Sequence, residues 1–278
     1  MHILFDIGGT KMRISSSFDG EHLETPLIIP TPDSFTEGMQ LFTESVKQIS
    51  QGNPITSIAG GIAGPLDKAK MMLVNSPNIP GWINMPLKAT IEKKFQVPVY
   101  LENDAALSGL GEAHFGEERH SSIIAYLTIS TGVGGVRIID GKIERNERGF
   151  EPGHQIIMKN GELCPGCNVR GHLEGHIGGA ALEKKYGKKA EDIDSEEIWN
   201  TIAYDLAVGL NNTIVHWSPD AVILGGSVME RISLEKVTQY LHELLVIYPI
   251  KPRLLRSTLG DLSGLYGALA LLKLQHTA

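Results

Sequence analysis

An α/β protein of two lobes is the fold class this sequence predicts, and three observations predict it. Stretches alternating apolar and polar residues at period two are interleaved with stretches whose apolar residues recur every three or four positions. At 278 residues the chain is long for one compact core, so two lobes follow. A glycine-rich turn between two strands occurs once in each half, as "FDIGGTKMRIS" near the start and "ISTGVGGVRII" after residue 128. The repeat reads as an internal duplication.

The elements follow in order. Residues 3–5 are apolar and β-prone, and Met12, Ile14 and Ser16 alternate with Arg13, Ser15 and Ser17. Gly8, Gly9, Thr10 and Lys11 therefore form the tip of a hairpin. Two glycines there allow successive N–H groups to point at one anion, because no Cβ blocks the approach. Asp6, at the strand end, can hold Mg²⁺ through water; an ordinary Gly-Gly hairpin is the alternative for this motif taken alone. Phe35, Met39, Phe42, Val46 and Ile49 mark an amphipathic helix, and residues 55–67 a strand ending in a Gly/Pro turn. Leu87, Ile91 and Phe95 give a second helix, residues 97–102 a buried strand, and "NDAALSGLGEAHFG" the start of a third helix. The second half repeats strand, tip (130–135) and strand over 121–143. Ile198, Ile202, Leu206 and Leu210 predict a helix, and "DAVILGGSV" a buried parallel strand ending in Gly225 and Gly226. The final "GDLSGLYGALALLKLQ" is a helix rich in small residues, suited to close packing. The expected division is 1–107, joined by a returning helix 264–278, and 108–263.

Composition narrows the function. Hydrophobic residues make up 42% and charged residues 21%, ordinary values for a globular protein. A net charge of −7 gives no electrostatic footprint for nucleic acid or an anionic membrane. The two cysteines are too few for a disulfide scaffold. There is no basic-then-apolar leader and no apolar stretch of membrane-span length, so a cytoplasmic protein is expected.

Eight motifs in fixed order carry a more specific reading: "DIGGTK" (6–11), "GIAGPLD" (61–67), "NSPNIPGW" (75–82), "LENDA" (101–105), "STGVGGV" (130–136), "EPGH" (151–154), "CPGCNVRGHLEG" (164–175) and "VILGGSV" (222–228). Together they resemble the ROK family of sugar kinases and repressors over nearly the whole chain. The resemblance implies an actin/hexokinase-like (ribonuclease H-like) ATPase fold, with two lobes around a central cleft, and ATP-dependent phosphorylation of a hexose. It makes Asp104 the base that accepts the sugar hydroxyl proton; helix capping is the alternative for an Asp in that place. Phosphoryl transfer is loose, so the proton is needed late and positioning carries most of the rate. Asn103 then bonds a neighbouring hydroxyl, and Asn78, Glu151, His154 and Glu174 take the family's sugar-contact positions. Gly9, Thr10, Thr131, Gly132 and Gly134 are expected to cradle phosphates, with Gly8 and Lys11 alongside. Gly225 and Gly226 would let a backbone approach the adenosine, and Mg²⁺ neutralises the triphosphate. Trp82 is read as a core aromatic and left outside the site.

Cys164, Cys167, His172 and His154 supply two soft and two borderline ligands, enough for a closed, structural Zn²⁺ site. The set departs from the family's usual three cysteines and one histidine, and His176 competes with His172 for the fourth place. A reduced CxxC loop or a redox pair is the alternative, the latter weakened by the turn-forming Pro165 and Gly166.

The expected activity is transfer of the ATP γ-phosphate to a sugar 6-hydroxyl, with glucose first, fructose second and N-acetylated aminosugars third. A sugar-sensing repressor of the same family is the alternative from a different class. It would need a helix-turn-helix ahead of the first glycine hairpin, which this acidic chain reaches by residue 8. A non-catalytic ATP-binding module would have no use for the hexose-contact set. The resemblance also implies a homodimer built on the second lobe.

Overall fold

The computed structural model describes residues 1–76 and 78–276. Pro77, inside the motif at 75–82, and residues 277–278 of the expected terminal helix lie outside the described residues. The chain divides into two units: one of 1–116, 145–149 and 261 onward, and one of 117–144 and 150–260.

In the first unit β1 (His2–Ile7) pairs antiparallel with β2 (Lys11–Ser17), and β2 with β3 (Leu27–Pro30). On its other side β1 runs parallel to β4 (Ser57–Ile62), and β4 to β5 (Val99–Asn103). The predicted amphipathic helix is α1 (Phe35–Ser50), whose Phe35, Met39, Phe42 and Val46 are buried in the core with Phe5 and Ile7. Phe42 meets Phe5 edge-on at 5.2 Å. Trp82 is 1% exposed, donates from Nε1 to the Pro32 carbonyl at 2.9 Å and packs against Phe35. It is a core aromatic. The short α2 (Leu87–Phe95) leads to β5, and α3 (Asp104–Phe115) follows β5 without a break.

The second unit repeats this plan. β6 (Ile123–Ile129) pairs antiparallel with β7 (Val133–Ile139), and β7 with β8 (Lys142–Ile143). β6 then runs parallel to β9 (Ala221–Gly225), and β9 to β10 (Arg253–Arg256). The orders β3-β2-β1-β4-β5 and β10-β9-β6-β7-β8 are one topology used twice. Its helices are α4 (Leu173–Ile177), α5 (Gly179–Tyr186), α6 (Glu196–Trp217) and α7 (Leu234–Leu244). Ser195 caps α6 by accepting the Ile198 N–H, and Leu206, Leu210 and Ile214 of that helix enter the core beneath β6 and β9. The last helix, α8 (Ser263–His276), belongs to the first unit and packs on α3.

The expected boundary at 107/108 falls inside α3. The structure keeps that helix whole in the first unit, because small residues bring α3 and α8 into backbone contact. A Cβ on Gly267 would lie 1.9 Å from the Leu107 carbonyl oxygen, and one on Gly111 2.4 Å from that of Ser263. No helix among the described residues is long and apolar enough to cross a membrane.

Candidate active site and metal cluster

In the first unit the parallel register aligns Ile7, Ile62 and Asn103 across β1, β4 and β5. The segments that follow those residues therefore leave the sheet side by side at its carboxyl edge, where open α/β sheets bind ligands. They are the tip 8–11, the turn at Ala63 and Gly64, and Asp104. The tip is closed by the Gly8 N–H donating to the Lys11 carbonyl at 3.0 Å. Thr31 pins it from β2's far side, donating from Oγ1 to the Gly8 carbonyl at 2.7 Å. Thr10 and Lys11 are exposed at the tip. A Cβ on Gly9 would lie 2.7 Å from the Cβ of Asn78, so glycine lets the hairpin tip and a predicted sugar contact share one corner.

Asp6 and Arg13 face each other across the hairpin. The guanidinium lies 3.5 Å from Asp6 through Nη1 and donates to Asp261 at 2.8 Å through Nη2. Burial pushes the Asp6 carboxyl up to about 6, Arg13 pulling against it and Asp261 adding to the rise. A partly exposed carboxylate that shares a long contact to Arg13 with Asp261 suits a second cation. Mg²⁺ held through water fits that place.

Asn103, rather than Asp104, caps α3: its Oδ1 accepts the Ala106 N–H at 3.0 Å. Its amide donates both to the Gly64 carbonyl and to Asp104 Oδ1, each at 3.0 Å. Asp104 Oδ1 also accepts the Ala105 N–H at 2.9 Å. Asp104 Oδ1 is thus held at the first turn of a helix, where a negative charge is favoured. Behind it the buried Glu102 pairs with Lys70, a partner that nothing local in the sequence indicates.

In the second unit the ladder runs to Ile129 opposite Val133, so the tip is 130–132. Gly134 lies in β7 opposite Thr128, inside the sheet instead of at the expected cradle, because the pairing continues through it. Thr131 and Gly132 remain at the tip. Gly225 pairs with Thr128, and Gly226 follows with φ +94°, a left-handed value that glycine adopts without strain. The turn after β9 thus lies beside the turn after β6, and the Ser227 and Ser130 hydroxyls are 3.2 Å apart.

The four expected ligands meet. One ligand atom from each of His154, Cys164, Cys167 and His172 lies within 4.8 Å of the others. His172 Nδ1 is 3.2 Å from both His154 Nδ1 and Cys167 Sγ, and Cys164 Sγ is 3.9 Å from His154 Nδ1. Zinc bonds of about 2.0–2.3 Å in a tetrahedron need ligand separations of that size, so the donor set fits the ion. His176 stands outside the cluster, with both ring nitrogens engaged elsewhere: Nδ1 is 2.9 Å from Asp205 Oδ2, and Nε2 accepts the Glu162 N–H at 3.1 Å. His172 is the fourth ligand of the fit.

Burial and the Glu174 carboxylate push the Cys164 thiol up to about 12, so it stays protonated and donates to Glu174 Oε1 at 3.2 Å. The other oxygen of Glu174 accepts the Val133 N–H at 2.9 Å, just past the tip. His154 turns Nδ1 to the cluster and Nε2 towards Glu151, 4.0 Å away. Loss of solvent holds the Glu151 carboxyl above its ordinary range, with Glu174 adding and His154 opposing. Asp6 and Arg13 could be paired from the hairpin register once the tip length is known, whereas Asp261, 248 residues from Arg13, could not. Asp205 could not be found that way, being 29 residues from His176.

The sequence pattern of the ROK family matches residues 3–275. A glucokinase of Thermotoga maritima is 27% identical, covering 96% of this chain and 96% of its own. A xylose repressor of Bacillus subtilis is 31% identical over 82% of this chain and 61% of the repressor. Among solved structures, a ROK family glucokinase from Streptomyces griseus in complex with glucose and AMPPNP superposes with a TM-score of 0.83. It is 26% identical, covering 97% of this chain and 98% of that one, and the likeness makes the fold actin/hexokinase-like.

Proposed function

We propose that this chain, which belongs to the ROK family, is a cytoplasmic ATP-dependent hexose kinase that phosphorylates the sugar 6-hydroxyl, with glucose as the leading substrate. The observation that carries the reading is the carboxyl edge of β1, β4 and β5, where the glycine tip and the fixed Asp104 carboxyl emerge together. Mg²⁺-ATP supplies the phosphoryl group. Asp104 accepts the proton of the 6-hydroxyl. Asn103 holds that carboxyl by Oδ1, so the hydroxyl meets it in one orientation. Asn78, Asn103, Glu151, His154 and Glu174 satisfy the other hydroxyls, each of which would cost about 1–3 kcal/mol if buried unpaired. Gly8, Gly9, Thr10, Lys11, Thr131 and Gly132 receive the phosphates, Gly225 and Gly226 admit the adenosine, and Asp6 holds Mg²⁺ through water. His154, Cys164, Cys167 and His172 hold a structural Zn²⁺. Held there through Nδ1, His154 would present Nε2 to the sugar. The second unit would form a homodimer, checked by light scattering on the eluting protein.

A coupled ADP-release assay with Mg²⁺-ATP tests the reading against glucose, fructose, mannose, N-acetylglucosamine and N-acetylmannosamine. One sugar should turn over, and Asp104→Ala should lower kcat about 10²–10⁴-fold. Turnover of fructose or an aminosugar would keep the kinase and change the substrate. A folded, zinc-loaded protein that turns over no sugar yet binds one would make this chain a sensor.

A further inference from the structure

His176 and Asp205 form a buried acid–imidazole pair outside the site described above. Their side chains are 5% and 9% exposed, and they come from different helices, α4 and α6. A buried pair of this kind is neither a surface salt bridge nor a ligand set. Its question is what the second ring nitrogen does.

That nitrogen accepts the Glu162 N–H, two residues before Cys164. The strand of loop at this point lies directly on the ring, since a Cβ on Gly161 would come within 2.4 Å of Nε2. From Glu162 the chain makes a small hairpin, closed by the Gly171 N–H to the Glu162 carbonyl (2.8 Å) and the Cys164 N–H to the Val169 carbonyl (2.9 Å). The Asn168 N–H returns to the Cys164 carbonyl at 2.9 Å. The hairpin carries Cys164 and Cys167 and delivers the chain to His172. Only one form of His176 serves both neighbours: hydrogen on Nδ1, donated to Asp205, and a lone pair on Nε2 for Glu162. The opposite tautomer would set two N–H donors against each other and leave the carboxylate unanswered.

We propose that Asp205 and His176 are positioning residues for the zinc cluster, with Asp205 selecting the tautomer by which His176 fixes the base of the cysteine hairpin. The inference rests on the reading of His154, Cys164, Cys167 and His172 as a zinc site. Its chemistry is that of a carboxylate–histidine pair orienting a metal site, here acting on the backbone that carries the ligands instead of on a ligand itself.

The test uses the full chain, stripped of metal, and measures zinc affinity by competition with a chromophoric chelator. His176→Phe keeps the ring's bulk and removes the acceptor; His176→Gln offers an amide oxygen to the Glu162 N–H. Zinc affinity should fall about 10–100-fold in His176→Phe and recover most of that loss in His176→Gln. The ligand-field bands of the cobalt(II)-loaded protein should shift in His176→Phe and return in His176→Gln, which a loss of packing alone would not produce. Should His176→Phe fail to fold, Asp205→Leu supplies the same comparison from the other side of the pair. Equal zinc affinity and equal cobalt spectra in wild type and variants overturn the inference while leaving the zinc site intact. A wild-type protein that binds no zinc overturns both.

Discussion

Asp6 shows how a single residue is set at odds with stability. Its carboxyl is raised from 3.8 to about 6, so the folded protein prefers it protonated. The sign follows: this group destabilises the fold progressively as pH rises from about 4 to about 7 and by a constant amount above that. The size is on the order of 3 kcal/mol, from roughly two pKa units. Asp6→Asn should therefore melt closer to wild type at pH 4 and gain on it steadily up to pH 7, in scans without Mg²⁺. A difference that does not vary with pH would disprove the assignment. Adding Mg²⁺-ATP should narrow the gap at pH 7, because a cation at the carboxylate relieves the same cost.

At the scale of elements, the closest helix contact is the one that small residues permit. Gly267 of α8 sits against the Leu107 carbonyl of α3, where a Cβ would lie 1.9 Å from backbone oxygen. Gly267→Ala gains helix propensity on paper, yet it should destabilise by about 1–3 kcal/mol through overpacking. Chemical denaturation measures this directly, and a stabilised variant would refute the close-packing account. The terminal run of small residues announced such a contact, although not its partner. Elements of strong periodicity, such as α1 with its Phe35-Met39-Phe42-Val46 stripe, were legible because burial and local pattern agree. The edge strands β3, β8 and β10 were not. Two to four residues with one side open have too little pattern to read, and pairing alone defines them. The length of the second tip was unreadable for a related reason: whether Gly134 ends a turn or continues a ladder depends on Thr128 opposite it.

On the scale of the whole molecule, the two units have separate cores, one containing Phe5, Phe42 and Trp82, the other Leu173, Leu206 and Leu224. All four residues of the proposed zinc site lie in the second unit. Chelating the metal should lower the melting of that unit and leave the transition of the first in place, as two resolved events in calorimetry. A single transition that shifts as one would contradict this. Because zinc must displace the proton of a thiol held up to about 12, its affinity should rise with pH, about tenfold per pH unit for each proton released. The duplicated topology was visible in the sequence as two glycine hairpins. The choice between His172 and His176 was not, since it is decided by Asp205 in a helix that no local pattern ties to the cysteines.

The first unit is also made of three separate lengths of chain, with 261 onward completing it after the whole of the second unit. On a ribosome the second unit is finished first, although its partner begins sooner. Until α8 emerges, the face of α3 that bears Leu107 and Gly111 has no cover, and the nascent first unit waits as an open template. The residues of α8 are then the ones that close it, so a chain interrupted before them has one sound half and one sticky one.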